Sequence, residues 1–136
     1  MHRQIITSLD ELRTLRGEWN ELLADSAANS IFLTWEWIAA WLDAVRPQAR
    51  LLTIALRDDH GRLTAVAPFY VTRMRLARLV PFRCLRILGD QDSGAEYPDL
   101  IIRRGCEDQA LPALREAVDS GRRHWDCMWL PLLGGW

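Results

Sequence analysis

Three of the seven tryptophans of this 136-residue chain, Trp35, Trp37 and Trp41, crowd into one short stretch that narrows the possible folds more than any other feature. Trp37, Ile38, Trp41, Leu42 and Val45 recur at the spacing that sets them on one side of an α-helix. Thr34 stands where its hydroxyl can accept a free N–H of the first turn, and Pro47 stops the run. The spacing therefore predicts a helix over 34–45. A helix face carrying indoles has to pack against something broad and apolar, and the strand pair that follows in sequence is the expected partner. Each indole N–H also wants an acceptor, so a groove edge suits these rings better than the middle of a core.

Length and charge set the class. A chain of this size forms one domain and buries roughly two thirds of its unfolded surface. Hydrophobic residues make up 49%, yet no apolar run approaches the length of a membrane span. The first residues lack the basic-then-apolar pattern of a secretion signal. Cys84, Cys106 and Cys127 are odd in number and unevenly spaced, which argues against a disulfide framework. A cytoplasmic protein with no membrane span is expected. The formal net charge of −1 favours neither nucleic acid nor an acidic membrane. All 17 basic residues are arginine, so no lysine is present for a Schiff base or a phosphate clamp.

Along the chain, Ile5 and Ile6 read as a short first strand. Ser8 and Glu11 have the form of a capping box, and Leu9, Leu12, Leu15, Trp19, Leu22 and Leu23 keep helical spacing to about Ala24. After the tryptophan helix, residues 51–56 read as a strand, 58–61 as a turn and 63–72 as a longer strand. Pro68 marks a bulge or an edge position within that second strand. Residues 84–88 and 100–102 form two further strands around a polar, glycine-containing loop. Glu107 or Asp108 caps a helix running to about Ser120, and 126–130 is a closing strand. The expected architecture is α/β (α+β), a mixed central sheet with flanking helices, in the order β-α-α-β-β-β-β-α-β. A last strand that looks buried needs a neighbour or cover on its edge, and none follows Trp136, so the chain reads as truncated.

The order and spacing of several segments carry a family resemblance. They are Trp19; Phe32, Leu33, Thr34, Trp35, Glu36 and Trp37 with Trp41; the run 61–70, from Gly61 to Tyr70; Leu85 to Asp90; Tyr97 to Ile102; and Leu130 with Pro131. Together they resemble the N-terminal half of tandem GNAT-type N-acyltransferases of the CelD-like and FemAB-like group. The resemblance implies a GNAT-like fold and an enzyme that moves an acyl group from acetyl-CoA or another acyl-CoA to a small-molecule amine acceptor. It also implies a C-terminal GNAT half that holds the acyl-CoA and is absent from this chain. This half would bind no cofactor itself and would shape the acceptor groove. The alternative is a non-catalytic GNAT-like binding or interaction domain.

A GNAT site works by positioning: an amine is held against a thioester carbonyl, a backbone N–H polarises that carbonyl, and a base or water takes the proton. Its cofactor grip is a glycine-rich turn at a helix N-terminus. The turn in that place here is Arg103, Arg104, Gly105, Cys106, Glu107 and Asp108. A carboxylate about 6 Å from a phosphate costs roughly 3 kcal/mol at an effective dielectric of about 20, and this turn carries two. An ordinary capped helix is the plainer reading. Glu36, Trp37, Asp90, Tyr97 and Asp99 are the candidate substrate-binding residues, with Asp92 and Glu96 nearby in sequence. Asp99 and Tyr97 are the candidate catalytic pair, Asp99 orienting an amine or acting as base; the competing reading gives Asp90 and Asp92 to turns and Asp99 to a strand end. Arg73, Arg75, Arg78, Arg83 and Arg86 alternate with apolar residues, as in a long hairpin arm with a solvated face or a surface that meets an anion. His124 and Cys127 lack the further ligands of a zinc set, and Cys84 and Cys127 sit in apolar strands where thiols are inert packing.

Overall fold

The computed structural model describes residues 1–90 and 98–130. The expectations for Asp92, Glu96, Tyr97 and Pro131 lie outside the described residues. The molecule is a mixed α+β fold. In chain order it runs β1 (His2–Ile6), α1 (Leu9–Arg13), α2 (Arg16–Ala24), α3 (Trp35–Val45), β2 (Arg50–Leu51), β3 (Thr53–Arg57), β4 (Leu63–Ala67), β5 (Phe69–Leu76), β6 (Val80–Ile87), β7 (Ile101–Ile102), α4 (Glu107–Ser120) and β8 (Cys127–Met128).

The sheet is divided into two four-stranded leaves rather than being continuous. One has the order β1-β3-β4-β7 and is antiparallel throughout; the other has the order β2-β5-β6-β8, with β8 parallel to β6. Each of the two long strands expected from the sequence is split by one residue. Leu52 separates β2 from β3, and Pro68 separates β4 from β5. Proline has no N–H to give a ladder, so the chain changes leaf at Pro68. The seam is closed by Leu52 N–H donating to the Phe69 carbonyl at 3.0 Å and Leu88 N–H donating to the Pro68 carbonyl at 2.7 Å.

Both faces of the central strands are buried, and alternation along each strand divides the core in two. Ala55 and Tyr70 face the layer built by α1, α2 and α3, where Leu12, Trp19, Leu22, Ile38 and Trp41 are also buried. Their neighbours Ile54, Leu56, Phe69 and Val71 face the other way, against Ala110, Leu114 and Ala117 of α4. Among the described residues no helix is long and apolar enough to cross a membrane.

The local signals mostly act as read. The Ser8 hydroxyl accepts from Glu11 N–H at 3.2 Å while the Glu11 carboxylate accepts from Ser8 N–H at 3.3 Å, a complete capping box. Thr34 caps α3 by accepting from Trp37 N–H at 3.4 Å. The single helix expected over 8–24 is two, because the Thr14 hydroxyl donates to the Glu11 carbonyl at 2.6 Å and competes there with the helical ladder. The cap of α4 is Cys106, without a side-chain hydrogen bond; Glu107 and Asp108 lie inside its first turn and act on the helix dipole instead. The buried face of α3 is rotated from the expected one. Trp35, Ile38, Trp41 and Leu42 are buried, and Trp37 and Val45 are half-buried at its margins.

Candidate functional site

Strands β5 and β6 pair over eight positions, from Phe69 opposite Ile87 to Leu76 opposite Val80. Their tip turns at Ala77 and Arg78, both with positive φ (51° and 61°), the geometry that fits the twist of a tight hairpin. The base of this arm carries a buried polar group. Tyr70 and Arg86 are direct cross-strand partners, and both converge on Asp90. The Tyr70 hydroxyl donates to Asp90 Oδ1 at 2.6 Å, and Arg86 Nε donates to Asp90 Oδ2 at 2.8 Å. All three are buried.

Gly89 makes this possible. Its φ of +86° curls the chain at the end of β6, so that Asp90, four residues after Arg86, folds back over the strand. The Trp37 ring of α3 packs against the same glycine: a Cβ there would stand 3.0 Å from Trp37 Cζ3 and 3.6 Å from Ile38 Cδ1. Gly89→Ala therefore meets both a left-handed backbone and the Trp37 ring. The expected loss of stability is about 2–5 kcal/mol, the sum of the φ and overpacking costs, read from the shift in a urea unfolding midpoint.

Burial, followed by the hydrogen bond to Asp90, pushes the Tyr70 hydroxyl well above its ordinary pKa, so it acts as a neutral donor and not as a base. The Arg86 guanidinium stacks over the rings of Tyr70 at 5.8 Å and Trp129 at 5.1 Å. Trp41 meets the Tyr70 ring edge-on at 5.6 Å. Contrary to the expectation of a groove-edge acceptor, the buried Trp41 indole N–H has no partner among the described residues.

Outward from this group a groove of about 620 Å³ opens between the end of α3 and the β5–β6 arm. Arg46, Arg50, Arg73, Arg83 and Arg86 all line it, with Tyr70 among them. Arg83 is committed to Asp126 through Nη2–Oδ1 at 3.0 Å and Nε–Oδ2 at 3.3 Å. A second cavity of about 590 Å³ lies between the leaves and the end of α4, floored by Leu52, Ile54, Phe69 and Val71 and carrying Arg50 and His124. Partial burial, then the nearby Arg123, Arg50 and Arg83, hold the His124 imidazole below its usual pKa, so it is neutral at pH 7. It approaches Arg50 Nη2 through Nδ1 at 3.3 Å and accepts from Arg123 Nε through Nε2 at 3.1 Å.

The candidate residues fall in different places. Asp90 is at the centre of the buried group and Trp37 covers the glycine beside it. Glu36 is exposed and lines neither cavity. Its Oε2 accepts from Asn20 Nδ2 at 2.8 Å, while Asn20 Oδ1 accepts from Trp35 N–H at 2.9 Å, so it helps to fasten α2 to the start of α3. Asp99 is buried just before β7 and accepts from Leu100 N–H at 2.7 Å. The turn before α4 is not an open anion cradle. Arg103 is buried and spends its donors on Asp25 at 2.7 Å, Glu21 at 3.4 Å and the Leu63 carbonyl at 3.0 Å. Cys84 and Cys127 sit opposite each other on β6 and β8, and burial with the Cys127 neighbour pushes the Cys84 thiol up to about 11, which keeps it protonated. Tyr70 and Arg50 were not singled out by sequence reasoning. The signal in the sequence was Arg86, a charge in the otherwise apolar run 84–88, which demands a buried partner.

No family model matches the chain, and no curated protein does. The solved structures that are similar in fold include two forms of one protein. One is a tetramutant of the BH1408 protein from Bacillus halodurans (TM-score 0.54, 14% identity, 97% of this chain and 83% of that one). The other is a second mutant form of the same protein (TM-score 0.51, 15% identity, 97% and 82%). At such identity the likeness speaks to the fold alone.

Proposed function

We propose that this chain is the acceptor-side half of a cytoplasmic GNAT-type N-acyltransferase, shaping a groove for an amine substrate while a second GNAT unit supplies the acyl-CoA. One observation carries the reading. The turn that would grip a CoA pyrophosphate has its buried arginine tied to Asp25, Glu21 and the Leu63 carbonyl and places Glu107 and Asp108 in the helix's first turn, whereas an open groove lies across the β5–β6 arm. The buried group of Tyr70, Arg86 and Asp90 gives that groove a rigid floor, which is what positioning catalysis asks of a supporting unit.

The test has two parts. Calorimetry of this chain with acetyl-CoA is expected to show no binding in the micromolar range; micromolar affinity would overturn the division of labour. A longer protein joining this chain to a second GNAT unit is expected to release CoA thiol when given acetyl-CoA and an amine. The alternative of a binding domain without chemistry is favoured if that longer protein releases none.

A further inference from the structure

We infer that the groove between α3 and the β5–β6 arm binds a phosphomonoester group, so that the acceptor it takes is a phosphorylated small molecule. The inference deepens the acceptor-groove reading and rests on it for the groove's role in the protein.

The argument is one of charge left over. Five guanidinium groups line the groove, and among the described residues no carboxylate does. Arg83 is paired with Asp126 and Arg86 with Asp90. Arg73 makes no ion pair among the described residues, and it stands directly opposite Arg83 in the β5–β6 ladder. Asp126 meets the Arg83 charge, so the guanidinium left over at that rung is the one on Arg73. Among the described residues Arg50 makes no ion pair, and its guanidinium approaches the neutral His124 at 3.3 Å, which leaves its charge uncompensated. Two uncompensated guanidiniums beside one cavity match a group that carries about −1.5 to −2 at pH 7 on a single tetrahedral head. The guanidinium fork also suits such oxygens. At about 620 Å³ the groove has room for the rest of a small molecule.

The experiment is calorimetry of the full chain at low salt with phosphoethanolamine, and with inorganic phosphate, succinate and a mixed-sequence DNA duplex as separate arms. Phosphoethanolamine is expected to bind, with inorganic phosphate competing for the same site. Arg73→Ala and Arg50→Ala are each expected to weaken binding about tenfold. Arg115→Ala removes an equal charge from the exposed face of α4 and is expected to leave affinity unchanged. A far-ultraviolet spectrum matching the parent shows that each variant is folded. The inference is overturned if succinate binds as tightly as the monoester, if the duplex is preferred, or if folded Arg73→Ala and Arg50→Ala bind as the parent does. Acyl transfer by a longer protein to unphosphorylated amines, without phosphate binding here, would remove this inference and leave the transferase reading standing. Phosphate binding with no acyl transfer would do the reverse.

Discussion

Asp90→Ala is expected to destabilise the chain by about 3–5 kcal/mol, the cost of removing one partner from a buried ion pair. The Asp90 side chain has no exposed surface and that of Arg86 only 7%, so water cannot replace the lost carboxylate. The same change strips the Tyr70 hydroxyl of its acceptor. Asp90→Asn keeps the volume and part of the hydrogen bonding, and its loss is expected to be smaller. Urea unfolding of the two variants, with the slope unchanged, gives the comparison. A loss below about 1 kcal/mol for Asp90→Ala would mean that the pair is solvated and cannot stiffen the groove floor.

Trp19→Ala carries an expected cost of similar size, about 3–5 kcal/mol, for a different reason. Trp19 is fully buried, its ring meets Trp35 edge-on at 5.8 Å, and its indole N–H donates to the Leu33 carbonyl at 2.7 Å. Leu33 ends the short 3-10 turn Ile31–Leu33 that leads into α3, so this one side chain joins the apolar layer to the entry of the tryptophan helix. Trp19→Phe retains most of the packing and loses the hydrogen bond, worth about 1 kcal/mol. Thermal unfolding of the pair separates the two contributions. Equal melting temperatures for Trp19→Ala and Trp19→Phe would show that packing at this position is not what holds α3 in place.

Helix α3, the caps Ser8 and Thr34, and the hairpin arm were legible because each depends on residues close in sequence. Ser8 and Glu11 are three apart, as are Thr34 and Trp37, and the alternation of arginine with apolar residues after Phe69 is itself the sign of a strand with one wet face. Pro68 was legible as an interruption, but its consequence was not. Whether a proline bends a strand or sends it to another leaf depends on Leu52 and Leu88, which bond across the seam. The same limit applies to the site. Asp90 stood out as a loop carboxylate, yet its role follows from Tyr70, twenty residues earlier, and from Trp37 lying over Gly89. Glu36 stood out as an acid beside tryptophans, and only the position of Asn20 on a neighbouring helix turns it into a fastening. Arg50 drew no notice because a lone arginine at a strand start says nothing until Arg73 and Arg83 are seen across the same groove.

The seam at Pro68 has a further consequence for how the chain assembles. Within each leaf one ladder joins neighbours along the chain, β3 with β4 and β5 with β6, so both hairpins can close over short loops before the rest of the polypeptide arrives. The outer strands close far longer loops: Ile6 meets Thr53, and Cys84 meets Cys127 in the parallel pair. During synthesis from the N-terminus, the arginine arm would thus be zipped while the strand that flanks it is still inside the ribosome.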